Sequence, residues 1–112
     1  MNRAEQTDDS TRLDQLEAQF PGATVFEEED TGDAYAFKKP DRRVIDRYMD
    51  GLFDTRQSKV QVNTQLLLDT ILHPDPAELR TRLGSRPMLA LRLSEEVLKP
   101  AGGSARFSTK LR

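Results

Sequence analysis

The stretch from Ser58 to His73 constrains this chain more than any other. It reads Ser-Lys-Val-Gln-Val-Asn-Thr-Gln-Leu-Leu-Leu-Asp-Thr-Ile-Leu-His and is closed by Pro74. At 100° per residue, Val60, Leu67 and Ile71 share one face of a helix, with Leu68 and Leu72 beside them. Val62 and Leu66 fall on other sides, so the second half is apolar almost all round. A helix of that kind is the buried centre of a small helical domain rather than a surface element. Nothing in it is chemically reactive.

The rest of the chain has to supply what covers such a helix. With 112 residues there is room for one domain and one modest core. Hydrophobic residues make up 36% and charged residues 32%, so the core is small and the surface heavily charged. That balance suits a helical domain and would leave a β-sandwich marginal. The net charge of -2 provides no global basic field, which argues against a general nucleic-acid binder. The absence of cysteine excludes disulfides, thiolate chemistry and Cys-ligated zinc. Met1 to Ser10 is polar and acidic with no apolar core of a signal peptide, and no apolar run approaches a membrane span. These features predict a soluble protein of the cytoplasm.

The predicted architecture is mainly α with a small N-terminal β-hairpin (α+β), in a compact bundle of about four to five helices. Residues 1–9 are expected to be disordered, residues 10–102 to form the single domain, and residues 103–112 a flexible basic tail. Ser10 or Thr11 can cap a first helix whose Leu13, Leu16 and Phe20 form one stripe, ended by Pro21-Gly22. Two short runs around Asp30-Thr31-Gly32-Asp33 read as a hairpin over about 24–38. With Thr31-Gly32 as its loop, Phe26 pairs with Phe37, and Tyr35 shares their face. The acidic run Glu27 to Asp30 decorates the solvated side and tip; its spacing matches no calcium loop.

Pro40-Asp41 opens a helix reaching about Phe53, with Val44, Tyr48 and Leu52, flanked by Ile45 and Met49, as its core stripe. Lys38, Lys39, Arg42, Arg43 and Arg47 cluster near its start, as a solvated face balanced by the acidic hairpin. Asp75 as cap, Pro76 in the first turn and Glu78 after it open a short helix that stops at Gly84. Ser85 is expected to cap a last helix from about Arg86 to Lys99. Its apolar residues, Leu89, Ala90, Leu91, Leu93, Val97 and Leu98, cover about 200°, roughly twice the stripe one core requires. Such a helix either wedges between two elements of its own domain or offers one flank to another protein.

No constellation carries catalysis. A single histidine, His73, at the predicted end of the central helix, supports neither a structural zinc site nor a Cys-His pair. The chain has no Gly-x-Ser-x-Gly elbow, no Gly-x-Gly-x-x-Gly and no Walker motif. Candidate recognition helices for DNA fail on charge, since the central helix has only Lys59 near its start. The expectation is a non-enzymatic protein with no catalytic residues, no cofactor and no metal, whose business is binding protein.

The order of features resembles the small tail assembly chaperones of long-tailed bacteriophages and prophages. The resemblance runs from about Leu13 to Gly102. It is carried by the acidic hairpin closing on Tyr35-Ala36-Phe37-Lys38-Lys39-Pro40 and by Asp41-Arg42-Arg43-Val44-Ile45-Asp46-Arg47-Tyr48. Asn63 to His73, Pro74-Asp75-Pro76-Ala77-Glu78-Leu79 and Arg86-Pro87-Met88-Leu89-Ala90-Leu91 complete it. The resemblance implies a protein of the bacterial host cytoplasm that binds the long, helical tape measure protein, keeps it soluble and helps recruit tail tube subunits. It also implies departure before the virion is complete and, in many relatives, a frameshifted longer product. A hydrophobic groove for an amphipathic partner helix is then expected on the last helix, with Met88, Leu91 and Leu98 contributing. Neither nucleic acid nor membrane is an expected partner, and oligomer formation is left open. Two other readings stand beside it. One is a structural adaptor or completion subunit retained in the particle; the other is a nucleic-acid accessory protein acting through Lys38 to Arg47 and the basic tail.

Overall fold

A computed structural model describes residues 12–103 and 105–108. The cap at Ser10 or Thr11, the expected disorder of residues 1–9 and the last four residues of the tail lie outside the described residues. Helix α1 covers residues 12–19. Strands β1 (Thr24–Glu27) and β2 (Ala34–Phe37) follow, then α2 (Arg42–Phe53), α3 (Lys59–Thr70), β3 (Ile71–His73), α4 (Pro76–Ser85) and α5 (Met88–Leu98). A single 3-10 turn, Lys99–Ala101, follows α5. The fold is α+β, mainly helical, with one small antiparallel sheet.

The sheet has three strands in the order β1-β2-β3, one more than the hairpin predicted from the sequence. The third comes from the end of the central helix, which stops at Thr70 instead of running to His73. Local and long-range causes act together. Pro74 drives the residue before it out of the helical region. The Thr70 hydroxyl bonds back to the carbonyls of Leu66 at 2.8 Å and Leu67 at 3.3 Å, while the Thr70 carbonyl accepts from the Lys38 amide at 2.8 Å. Ile71 is already extended, at φ -67 and ψ 133. His73 therefore sits in a strand and not at a helix C-terminus.

The hairpin register also differs from the expected one. Phe26 lies opposite Tyr35, and Thr24 opposite Phe37. The turn is longer than a two-residue loop: the Glu28 amide donates to the Asp33 carbonyl, the Gly32 amide donates to the Glu28 carbonyl, and Gly32 takes φ 76. A slip of two residues keeps every side chain on its face, whereas a slip of one would have inverted them. Phe26, Tyr35 and Phe37 consequently share a face, with ring centroids 5.7 to 6.2 Å apart.

That aromatic face meets the helices. Tyr35 and Phe37 are fully buried against Leu66 and Leu67 of α3, Leu79 of α4, and Leu89, Leu93 and Val97 of α5. The opposite face of β2 carries Ala34 and Ala36, which are buried as well. Arg12 at the start of α1 donates to the Gly32 carbonyl at 3.2 Å and lies 3.7 Å from Glu27, which places α1 with its buried Leu16 over this second face. With Tyr35 and Phe37 buried on one face and Ala34 and Ala36 on the other, β2 is covered on both sides.

Helix α2 starts on Asp41, whose carboxylate accepts from the Val44 amide at 2.9 Å. It docks on α3 through Gly51, packed against Val62, and through the Tyr48 hydroxyl, which donates to Asn63 at 3.1 Å. Its apolar stripe is wider than the surface α3 covers, so Met49 and Phe53 stay exposed. On α3 the buried side centres on Val62, Leu66 and Leu67; Val60, in the first turn, is more than half exposed. Helix α4 opens as expected, with Asp75 accepting from the Glu78 amide at 2.8 Å and Pro76 in the first turn. It runs one residue past Gly84, because the Ser85 hydroxyl turns back to the carbonyl of Arg82 at 3.1 Å. Ser85 is thus the end of α4 and not the cap of α5, which begins at Met88 after Pro87 with no side-chain cap.

Candidate functional site

A groove of about 690 Å³ runs between the end of the hairpin and the first half of α5. Residues 26–30 form one wall; residues 86–89 with Arg92, Leu93 and Glu96 form the other. The geometry follows from the break between α4 and α5. Ser85 ends one helix, Arg86 is extended at φ -139 and ψ 79, and Pro87 starts the next. Arg86 is thereby aimed at the hairpin, where its Nη1 donates to Glu28 Oε1 at 2.9 Å and its Nη2 to Glu28 Oε2. This two-pronged contact is the preferred guanidinium–carboxylate geometry. It holds the Glu28 carboxyl below the usual glutamate value, with burial pulling the other way, and raises Arg86.

Behind this clamp, Arg82 of α4 lies over the Tyr35 ring with its guanidinium carbon 5.2 Å from the ring centre. Its Nε donates to Glu78 at 3.1 Å, and its Nη2 is 3.8 Å from Asp33. Burial raises the Tyr35 hydroxyl above the ordinary tyrosine value while Arg82 opposes it. These contacts tie hairpin, α4 and the groove's base into one rigid corner.

The groove is mixed: Phe26, Pro87, Met88, Leu89 and Leu93 line it together with seven charged residues, five of them acidic. Phe26 is half-buried, Leu89 and Leu93 are buried, and Met88 is 69% exposed. Of the charged residues around them, Glu28 is held by Arg86, Arg92 pairs with Glu95 at 3.2 Å, and Glu96 with Lys99 at 2.8 Å. Glu29 and Asp30 are exposed and have no ion-pair partner among the described residues. Chemically, this arrangement can bury apolar side chains and attract a cation at its mouth.

The three residues expected to bind a partner do not converge. Met88 lines the groove. Leu91 is 44% exposed but lies about 60° further round α5, outside the groove. Leu98 is half-buried and packs against the core. Sequence reasoning missed the hairpin wall altogether. Phe26 and the acidic run Glu27 to Asp30 were visible, but which helix faces them depends on the α4–α5 break.

The basic cluster is partly neutralised within the fold: Arg42 pairs with Asp46 at 3.0 Å and Arg47 with Asp69 at 3.3 Å. Among the described residues, no group of three or more histidines or carboxylates is placed to hold a metal ion. No described helix is long and apolar enough to cross a membrane.

Residues 8–110 match a family described as Domain of unknown function (DUF6848). The chain belongs to the DUF6848 family. No curated protein matches it. Among solved structures, an uncharacterised protein from Bacillus stearothermophilus is similar at 21% identity with a TM-score of 0.70, over 87% of this chain and 98% of that one. At that identity the likeness shows a shared fold.

Proposed function

We propose that this DUF6848 protein is a non-enzymatic tail assembly chaperone of a long-tailed phage or prophage, working in the bacterial cytoplasm. Its partner would be the tape measure protein, with the tail tube subunit as a second contact. The observation that carries the reading is the groove between hairpin and α5, where Phe26, Leu89 and Leu93 lie among charged side chains and Met88 is open to solvent. Grooves of this kind accept the apolar stripe of an amphipathic partner and shield it from aggregation. Methionine at the opening suits a surface that must accommodate varied apolar side chains along a long, repetitive helix. The resemblance in chain order supplies the biological setting; the groove supplies the means.

Co-expression with the long helical protein encoded beside it tests this. The expected result is a partner insoluble alone, soluble and co-purifying when this protein is present. Met88→Asp places a charge in the groove at a mostly exposed position, so it should abolish rescue while leaving the fold intact. Leu91→Asp, outside the groove, should have a smaller effect. A partner that behaves identically with and without this protein refutes the chaperone function.

A further inference from the structure

Helix α2 keeps a face that none of the described elements covers. Ile45, Met49 and Phe53 recur every four residues with Leu52 beside them, a stripe about 100° wide. None of the four is part of the core cluster; Ile45 and Leu52 are half-buried, Met49 is 46% exposed and Phe53 79%. Large apolar side chains gathered on the outside of a small domain mark an interaction surface. No residue of α2 lines the groove between hairpin and α5, so this face is separate from it.

The charges beside the stripe specify its occupant. Residues 43–50 read Arg-Val-Ile-Asp-Arg-Tyr-Met-Asp, the same Arg-apolar-apolar-Asp unit twice. Reversed, this pattern sets an aspartate against every arginine and an apolar residue against every apolar one. Two such helices laid antiparallel, about a two-fold axis between Asp46 and Arg47, therefore meet with opposite charges. Laid parallel and in register, they would set arginine on arginine. Arg42 is bonded to Asp46 at 3.0 Å and Arg47 pairs with Asp69 at 3.3 Å, whereas Arg43 and Asp50 are exposed and make no ion pair among the described residues. Arg43 and Asp50 lie on the same side of α2, about 10 Å apart along its axis. In the antiparallel arrangement Arg43 of each copy faces Asp50 of the other. Ile45 of one copy then comes beside Met49 of the other, and Phe53 reaches Pro40, just ahead of the other copy's α2.

We propose that α2 is a self-association face: two copies of this chain pair through antiparallel α2 helices, which enclose Ile45, Met49 and Phe53 and join Arg43 to Asp50 at two symmetric places. One helix from each copy makes a small interface, so the pairing is reversible and depends on protein concentration. Because the groove residues lie elsewhere, the dimer carries two grooves. On a long, repetitive partner, the second groove would then bind as an intramolecular event. That consequence rests on the proposed function; the pairing itself does not.

Sedimentation equilibrium of the full chain across the micromolar range should show monomer and dimer in exchange, with no larger species. Phe53→Ser, at a mostly exposed position, should weaken the dimer roughly tenfold or more while circular dichroism stays unchanged. Arg43→Asp and Asp50→Arg, both at exposed positions, should each weaken it by a similar factor, since each sets like charges together at two symmetric places. Unfolding of α2 would not explain that loss, because an acidic residue in the first turn and a basic one in the last both favour the helix dipole. The double variant Arg43→Asp/Asp50→Arg re-forms both pairs and should return the dissociation constant to within about threefold of the original. A protein that stays monomeric at high micromolar concentration overturns the proposal, and so does a dimer that Phe53→Ser leaves intact. A double variant that dimerises no better than the single ones overturns it as well. None of these measurements involves the tape measure protein, so failure of the pairing and failure of the chaperone function are separable.

Discussion

Gly51→Ala sets two effects of similar size against each other. Gly51 lies inside α2 at a negative φ, so alanine is conformationally acceptable, and helix propensity alone favours it by about 1 kcal/mol. A β-carbon there, however, would stand 3.0 Å from both Cγ1 and Cγ2 of Val62. Val62 is 4% exposed and β-branched, so it cannot rotate away cheaply. Overpacking at such a contact costs about 1–3 kcal/mol, so the expected net loss is about 1 kcal/mol, or roughly 4–8 °C in Tm. Val62→Ala alone should cost about 2 kcal/mol in lost burial and cavity. In the double variant the methyl introduced on α2 occupies part of that space, and the loss should be about 2 kcal/mol less than the two single losses combined. Urea denaturation of the four proteins reads this coupling directly. If Gly51→Ala alone stabilises by about the full propensity gain of 1 kcal/mol, or the losses simply add, the tight α2–α3 contact is not what keeps glycine there.

Two further outcomes follow from named contacts. Asp75→Ala removes the side-chain acceptor of the Glu78 amide and should cost about 1 kcal/mol by chemical denaturation, with Asp75→Ser restoring most of it. The Glu28 carboxyl is held below its usual value in the folded state, so its contribution is present at neutral pH and above. It is lost as pH falls below the ordinary glutamate value and through the depressed one. Glu28→Gln should therefore lower stability at pH 7 and flatten the decline toward acid; unchanged acid sensitivity in the variant would place that sensitivity elsewhere.

Local signals carried much of the fold. Asp41 and Asp75-Pro76 mark helix starts because capping is decided within four residues, and both caps form. The aromatic face of the hairpin was readable because side-chain alternation survives a register slip of two. The end of α3 was not readable from periodicity: Ile71 and Leu72 continue the apolar pattern equally well in a helix or a strand. The Lys38–Thr70 contact, 32 positions apart in sequence, ties the end of the helix to the sheet and is what periodicity does not show. The site was less legible than the fold. Met88 lines the groove, Leu98 faces the core, and the hairpin wall is created by the Arg86–Glu28 clamp, which no local pattern encodes.

Helix α3 passes into β3 without an intervening residue, and β3 is bonded to β2. The central helix and the sheet consequently share one unbroken stretch of backbone and behave as a single stiff frame. The hairpin wall of the groove belongs to that frame, and α5 is seated on the same frame by Leu89, Leu93 and Val97, which share one core with Leu66 and Leu67 of α3. The two walls are therefore braced twice, through that core and by the Arg86–Glu28 contact between them.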